Sequence, residues 1–325
     1  EYLHIMMGCL IPFALTQTYS GTLRETGETI VPMKAGIVAF FANLLLDYSL
    51  IFGKFGFPEL GVRGAAIATV IARIAEVAVV MAWAHSHTAE KPFIRGVYRS
   101  FHVPMDLVKE VIKKGTPLLL NETLWAGGMA MLVRCYSSRG LVVVAGINIA
   151  TTLSNMFSIV YIAMGSAIGI ILGQLLGAGK MEEAVDTDRK LIFFSVASCL
   201  GVAILMIIVS PFFPQIYNTS DDVKYIAAWI IRVLAVCMPL NAFMNSTYFT
   251  LRSGGKTIVT FLFDSFYIWV VDIPAAILLI NYTDWNVILV YFLVQMMEIV
   301  KCIIGYVLVK KGVWLNNMTI KAANS

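Results

Sequence analysis

The chain has 325 residues, 59% of them hydrophobic and 14% charged, with a mean hydropathy of +0.80, whereas soluble domains carry about 25% charged residues. That excludes an ordinary water-soluble fold. The formal net charge of +4 comes from 24 Lys plus Arg against 20 Asp plus Glu, scattered in short clusters between apolar runs, which gives no support to a nucleic-acid binder.

In chain order, nine apolar runs approach the roughly 20 residues that a bilayer core requires. They cover about 1–21, 33–53, 62–84, 116–136, 142–174, 191–213, 223–250, 258–280 and 286–309. The runs are continuous, where strands of a membrane barrel would alternate in segments of about ten residues, so all are read as helices. Glu1 starts the first run with no charged region before it, so the chain reads as the remainder of a longer one. Residues 85–115 form the longest polar stretch and read as a cytoplasmic linker, with a short amphipathic helix over Met105–Lys114 lying along the membrane. His85, His87 and His102 fall here as solvated loop residues with no cysteine or carboxylate cluster beside them. Cys9, Cys135, Cys199, Cys237 and Cys302 all fall inside apolar runs, at neither disulfide nor zinc spacing, and read as small packing residues.

Lys and Arg orient the spans. Connections on one side hold sixteen: Arg24, Lys34, Lys91, Arg95, Arg99, Lys109, Lys113, Lys114, Lys180, Arg189, Lys190, Arg252, Lys256, Lys310, Lys311 and Lys321. The opposite side holds four: Lys54, Arg63, Arg139 and Lys224. The richer side is cytoplasmic, so the chain starts outside and ends inside.

An internal repeat sets the larger plan. Residues 22–31, TLRETGETIV, match residues 250–259, TLRSGGKTIV, at seven of ten positions and an offset of 228. Pro12 or Pro239 lies inside the run before each copy, and six spans separate the copies, so the repeats are parallel rather than inverted. Locally the motif reads as an Arg anchoring a helix end at lipid headgroups, a Gly making the turn and a Thr capping the next helix. Two periods make about 456 residues in two six-helix lobes, so nine of twelve helices are expected here and about 110 residues are lacking. The fold class is all-α transmembrane, a two-lobe helical bundle with a parallel pseudo-twofold repeat. Residues 1–84 are the remainder of the N-terminal lobe, 85–115 the linker and 116–325 the C-terminal lobe.

Three stretches resemble the multidrug and toxic compound extrusion (MATE) transporters. They are NLLLDYSLIFGKFGFPELGVRGAAIAT at 43–69, with Asn43, Asp47, IFG and GAAIAT; ILGQLLGAGKMEEA at 171–184; and the paired TLR-Gly-Thr turns. The resemblance spans the whole chain and implies that family helices 4–6 and 7–12 are present. It further implies a cation-coupled antiporter of the cell inner or plasma membrane that exports small amphipathic organic cations or drugs. H+ or Na+ would be the coupling ion, with no other cofactor, no metal site, no nucleic-acid partner and a monomer in the lipid. A lipid or isoprenoid-linked flippase of the same superfamily is the alternative. No Walker loop, HExxH or nucleophile elbow is present, so no enzyme is expected.

Gly165, Gly169, Gly173 and Gly177 give one smooth helix face, read as close packing or, by the resemblance, as a sliding surface along a central cleft. Ionisable residues inside spans are functional candidates because leaving them unpaired there costs ~2.5–3.5 kcal/mol or more. Glu122 either snorkels or, as the resemblance implies, carries the coupling ion, with Asn121, Trp125 and Met129 nearby. Asp264 and Asp272, about 80° apart on an ideal helix with Tyr267 and Trp269 between them, read as coupling-ion carboxylates or as partners in an interhelical hydrogen bond. Glu298 with Lys301, and Arg73 with Glu76, read as structural pairs three residues apart. Arg134 and Arg232 are expected to snorkel. Asn148, Asn155, Thr151 and Thr152 form one polar stripe, and Asn241 and Asn245 another. Phe157, Tyr161, Met156, Trp125 and Met129 are the expected cavity wall, an adaptable surface for flat cations. A carboxylate that some relatives carry in family helix 10 is replaced here by Asn and Met, which leaves the coupling ion open.

Overall fold

A computed structural model describes residues 2–88, 94–97 and 103–316. Lys91, Arg99, His102 and Lys321 lie outside these residues. Among the described residues there is no strand. The chain divides into two compact units, Glu1–Val103 and Pro104–Ser325.

The first unit holds α1 (Tyr2–Met7), α2 (Leu10–Glu25), α3 (Ile30–Ile51) and α4 (Val62–Ser86), with α4 packed on the other three. The single run expected over 1–21 is broken. Gly8 and Cys9 donate backbone hydrogen bonds to Ile5 and Met6, both 3.0 Å, and this tightened turn separates α1 from α2. α2 is consequently 16 residues long, short of a full crossing. α3 and α4 cross closely at Gly64, where a Cβ would fall 2.5 Å from the Leu50 carbonyl oxygen. Leu23, Val31, Ala35 and Val80 form the core.

The second unit begins with α5 (Met105–Ser137), α6 (Leu141–Gly177), α7 (Met181–Val209) and α8 (Asp221–Ser253). Met105–Lys114 is not a separate surface helix. It continues through Gly115 and Pro117 into the span as one helix of 33 residues. An exposed Glu110–Lys114 pair at 2.6 Å supports this first part, and Lys114 holds the Glu110 carboxyl below its ordinary range. α7 starts well before the apolar run at 191. The stretch from Met181 to Lys190 is charged but helical, with acidic residues in its first turn and ion pairs Lys180–Glu183 at 2.9 Å and Asp186–Lys190 at 2.5 Å. α6 packs most extensively on α8. Two of the four glycines explain part of that: a Cβ at Gly165 would collide with Asn245 and Phe249, and one at Gly169 would lie 3.1 Å from Phe249. At Gly173 and Gly177 a Cβ would touch nothing within 4 Å. A core including Ile147, Met206, Ile230, Ile231 and Met238 fills the interior of this unit.

The remaining spans are irregular. α9 (Thr257–Phe261) passes into two π-helical stretches, Leu262–Phe266 and Ile268–Asp272, before α10 (Ile273–Tyr282). Pro274 has no N–H to return to the carbonyl four residues back, inside the second stretch, so an ordinary α ladder cannot run through it. The last span breaks at Met297 into α11 (Val287–Met296) and α12 (Glu298–Lys310). Among the described residues, seven helical stretches are long and apolar enough to cross a membrane: α3, α4, α6, α7, α8, Thr257–Tyr282 and Val287–Lys310. Of the nine expected, the others are the interrupted α1–α2 pair and α5, whose central section carries Asn121 and Glu122.

The repeated motif folds alike in both units. Arg24 and Arg252 each sit in the last turn of a helix, α2 or α8. Gly27 and Gly255 then take positive φ of 89° and 72°. Each donates its N–H to the Arg carbonyl, at 3.1 and 2.9 Å. Leu23 and Leu251 are buried equivalently. The expected threonine caps are absent: Thr29 makes no side-chain cap bond, and Thr257 lies already inside α9 behind Lys256.

Candidate functional site

The π stretches bring buried polar groups of α5, the 257–282 span and the last span together within the second unit. A wider helical turn re-aims the side chains it carries and is common at functional sites. Asp264 and Asp272 both lie in such turns, so the 80° separation of an ideal α-helix does not apply to them.

Asn121 is 1% exposed. Its Nδ2 donates to Asp264 Oδ2 at 3.1 Å, and Ser265 Oγ donates to Asn121 Oδ1 at 2.7 Å. One amide thereby orients the Asp264 carboxylate and locks α5 to the first π stretch. Gly128 lets the helices approach: a Cβ there would sit 2.7 Å from Ile268 Cγ2. Trp269 Nε1 donates to the Leu124 carbonyl at 2.9 Å across the same contact.

Lys301 enters from α12. Its ammonium lies 3.0 Å from Asp264 Oδ1 and 3.6 Å from Glu298 Oε2. Glu298 and Lys301 do pair, as their spacing suggests, but the nearer partner is Asp264, 37 residues away in sequence. Sequence spacing found the local half of this arrangement and missed its centre. Tyr267 is buried, and its hydroxyl donates at 2.6 Å to the Met297 carbonyl, at the break between α11 and α12. Asp272 is 3% exposed, its Oδ1 has no hydrogen-bond partner, and it lies within electrostatic reach of Glu298, Lys301 and Asp264.

The predicted residues therefore separate. Asn121, Asp264, Asp272 and Tyr267 converge on the buried cluster. Glu122, the neighbour of Asn121, is exposed, about 100° round the helix from it. Trp125 and Met129 are each 43% exposed. Asn148 and Asn155 are exposed on α6, and the Asn148 carbonyl accepts from the Thr151 and Thr152 hydroxyls. Phe157 and Tyr161 pack against the main core of the unit. Asn241 is half-buried, and Asn245 faces Gly165 with a buried Oδ1 that lacks a partner. None of these lines either of two grooves in the unit. One, of about 240 Å³, is lined by residues including Arg134 and Asn281; the other, of about 460 Å³, by residues including Trp229 and Arg232.

Other polar contacts hold structure. Arg73 Nη1 lies 2.6 Å from Glu76 Oε2 within α4. Arg232 Nε donates to Ser210 Oγ at 3.1 Å and its guanidinium covers the Trp229 ring at 4.6 Å. Thr250 Oγ1 donates to the buried Asp188 Oδ1 at 2.7 Å, joining α7 to α8 just before the repeated turn; no sequence signal marked Asp188. Asn43 Nδ2 and Asp47 Oδ1, inside the motif at 43–69, are buried without hydrogen-bond partners.

The MatE family model matches residues 117–278, the stretch that includes Asn121, Asp264 and Asp272. The chain is 25% identical over 284 residues to the probable multidrug resistance protein NorM of Thermotoga maritima, covering 87% of this chain and 60% of that protein. It belongs to the MATE family. The multidrug resistance protein MdtK of Edwardsiella ictaluri is 26% identical over 282 residues, 86% of this chain and 61% of that protein. The solved structure of the Vibrio cholerae MATE transporter VcmN in the bent form shares the fold, with a TM-score of 0.82 at 17% identity over 97% of this chain and 69% of that one. The chain spans about 60% of the length of these curated relatives. This MATE-family chain is an all-α, multi-pass protein of the plasma membrane.

Proposed function

We propose that the protein is a secondary active antiporter, exporting small amphipathic organic cations in exchange for H+ or Na+. The observation that carries this reading is the buried ammonium of Lys301 paired with the partly buried Asp264 and Glu298, with the buried Asp272 on the same span as Asp264, all inside spanning segments. Carboxylates kept in such a place are costly and mark ion pathways. Family membership and relatives named as multidrug resistance proteins support the efflux direction. Asp264 and Asp272 are the coupling-ion carboxylates of this reading, with Glu122 as an exposed third acid. Trp125 and Met129, large and exposed beside Asn121, are substrate-wall candidates, and the exposed amides of Asn148 and Asn155 extend that polar surface along α6. The lobes divide as 1–84 and 116–325 around the linker, the protein acts as a monomer in lipid, and no enzymatic step is part of the cycle.

The test is the whole protein in liposomes loaded with ethidium. Efflux driven by an imposed proton or sodium gradient is expected, and Asp272→Asn should uncouple it. Dye movement indifferent to any gradient would remove the antiport reading; scrambling of a labelled lipid in its place would establish the flippase alternative.

A further inference from the structure

The buried cluster has an unusual charge balance. Asp264, Asp272 and Glu298 contribute three carboxyl groups and Lys301 one ammonium. Lys301 is 5% exposed, and beyond its two carboxylate partners it lies 5.7 and 5.9 Å from the ring centroids of Phe263 and Tyr267. Two oxygens and two aromatic faces make a complete setting for a desolvated monovalent cation. Asp272, buried on the same span as Asp264 and with Oδ1 unpartnered, lies within electrostatic reach of that ammonium. Glu298 Oε2 likewise has no hydrogen bond, only the ion pair at 3.6 Å. Two buried carboxyl oxygens of the cluster are thus left without a hydrogen-bond donor in the neighbourhood of the one ammonium. Among the described residues no three acidic, His or Cys groups stand at metal-ligand spacing; the acids are held apart with the ammonium between two of them.

We propose that Lys301 is a tethered occupant of an alkali-cation site. A sodium ion entering beside Asp272 competes with the ammonium for Asp264 and Glu298 and binds by displacing it from one of them. The length and flexibility of the lysine stem suit such an exchange, because its compact head can withdraw from one oxygen without leaving the cluster. Lys301 then sets the concentration at which the ion binds. This deepens, and rests on, the coupling role given to Asp264 and Asp272.

The experiment is a sodium titration of the purified whole protein against choline chloride, at fixed pH and ionic strength, read by tryptophan fluorescence and thermal unfolding. Lys301→Gln removes the competitor, and the half-effective sodium concentration should fall about tenfold, within the ordinary range of coupling between competing ligands. A merely structural lysine would leave or weaken sodium binding on removal, so an unchanged or raised concentration overturns the proposal. Lys301→Arg keeps the charge but grips carboxylates in bidentate fashion, and should raise the concentration. Should Lys301→Gln not fold, the arginine variant decides, and an unchanged value overturns the proposal. Adding Asp272→Asn to Lys301→Gln should abolish the sodium response; a full response there also overturns it. Binding is read without gradient or drug, so an unshifted affinity beside intact gradient-driven efflux sinks this inference alone. A shifted affinity without efflux sinks only the antiport reading.

Discussion

Asn121 does two jobs with one amide, donating to Asp264 while accepting from Ser265. Asn121→Ala removes the donor to Asp264 Oδ2 and the side-chain acceptor of the Ser265 N–H, while the Ser265 hydroxyl keeps the backbone carbonyl of residue 121 at 2.6 Å; the loss is about 1–3 kcal/mol for a buried polar group deprived of its partner. Thermal unfolding in detergent measures it. Asn121→Asp should be worse than alanine, because it sets a further carboxylate against Asp264; greater stability than alanine would show that the amide is not the hinge of the cluster. The glycine face of α6 offers a second comparison. Gly165→Ala forces the new methyl into Asn245 and Phe249, an overpacking cost of about 1–3 kcal/mol, whereas Gly173→Ala meets open space and should be neutral or slightly stabilising through helix propensity. Equal effects at both positions would contradict the α6–α8 packing. Single residues were legible where one feature sufficed, as with buried acids in apolar runs. Lys301 was legible only as half of a local pair, because its stronger partner lies on another span and no spacing rule reaches that far.

Apolar runs located most helices within a few residues, since burial in lipid demands length and little else. Their interruptions were harder to read. The break at Gly8–Cys9 and the gap at Met297 are decided by backbone hydrogen bonds that composition does not encode, and the π turns at 262–272 are marked in the sequence only by Pro274 just beyond them. The repeated turn was the exception, since a positive φ needs glycine and a matched Gly27 and Gly255 announces it. The π stretch docks on α5 through two adjacent glycines with different surroundings. Gly128→Ala drives a methyl into Ile268, a buried β-branched side chain with little room to turn, while Gly127→Ala meets Trp269 at an ordinary 3.6 Å. Gly128→Ala should therefore destabilise by about 1–3 kcal/mol and raise the accessibility of Trp269 to an aqueous quencher, with Gly127→Ala close to wild type. Identical quenching in both variants would mean that this contact does not hold the span in place.

At the scale of the whole molecule, the two turns carry a topological consequence. Six spans lie between residues 22–31 and 250–259 in the nine-run reading, which predicts that both turns emerge on one face of the membrane, the cytoplasmic one by the Lys and Arg bias. Cys9, Cys199 and Cys237 are buried, so single cysteines introduced at the surface stand out against them once Cys135 and Cys302 are replaced by alanine. Thr26→Cys and Lys256→Cys should react with an impermeant maleimide only after the cells are permeabilised, and Lys224→Cys should react in intact cells. The weak point is the first run, because α1 and α2 together must still count as one crossing although neither is long enough alone. If that pair fails to cross, the six spans between the turns are unaffected and the two cysteines still label together. Labelling of Thr26→Cys and Lys256→Cys from opposite sides would instead remove one of the intervening spans, and with it the parallel repeat on which the two-lobe plan depends.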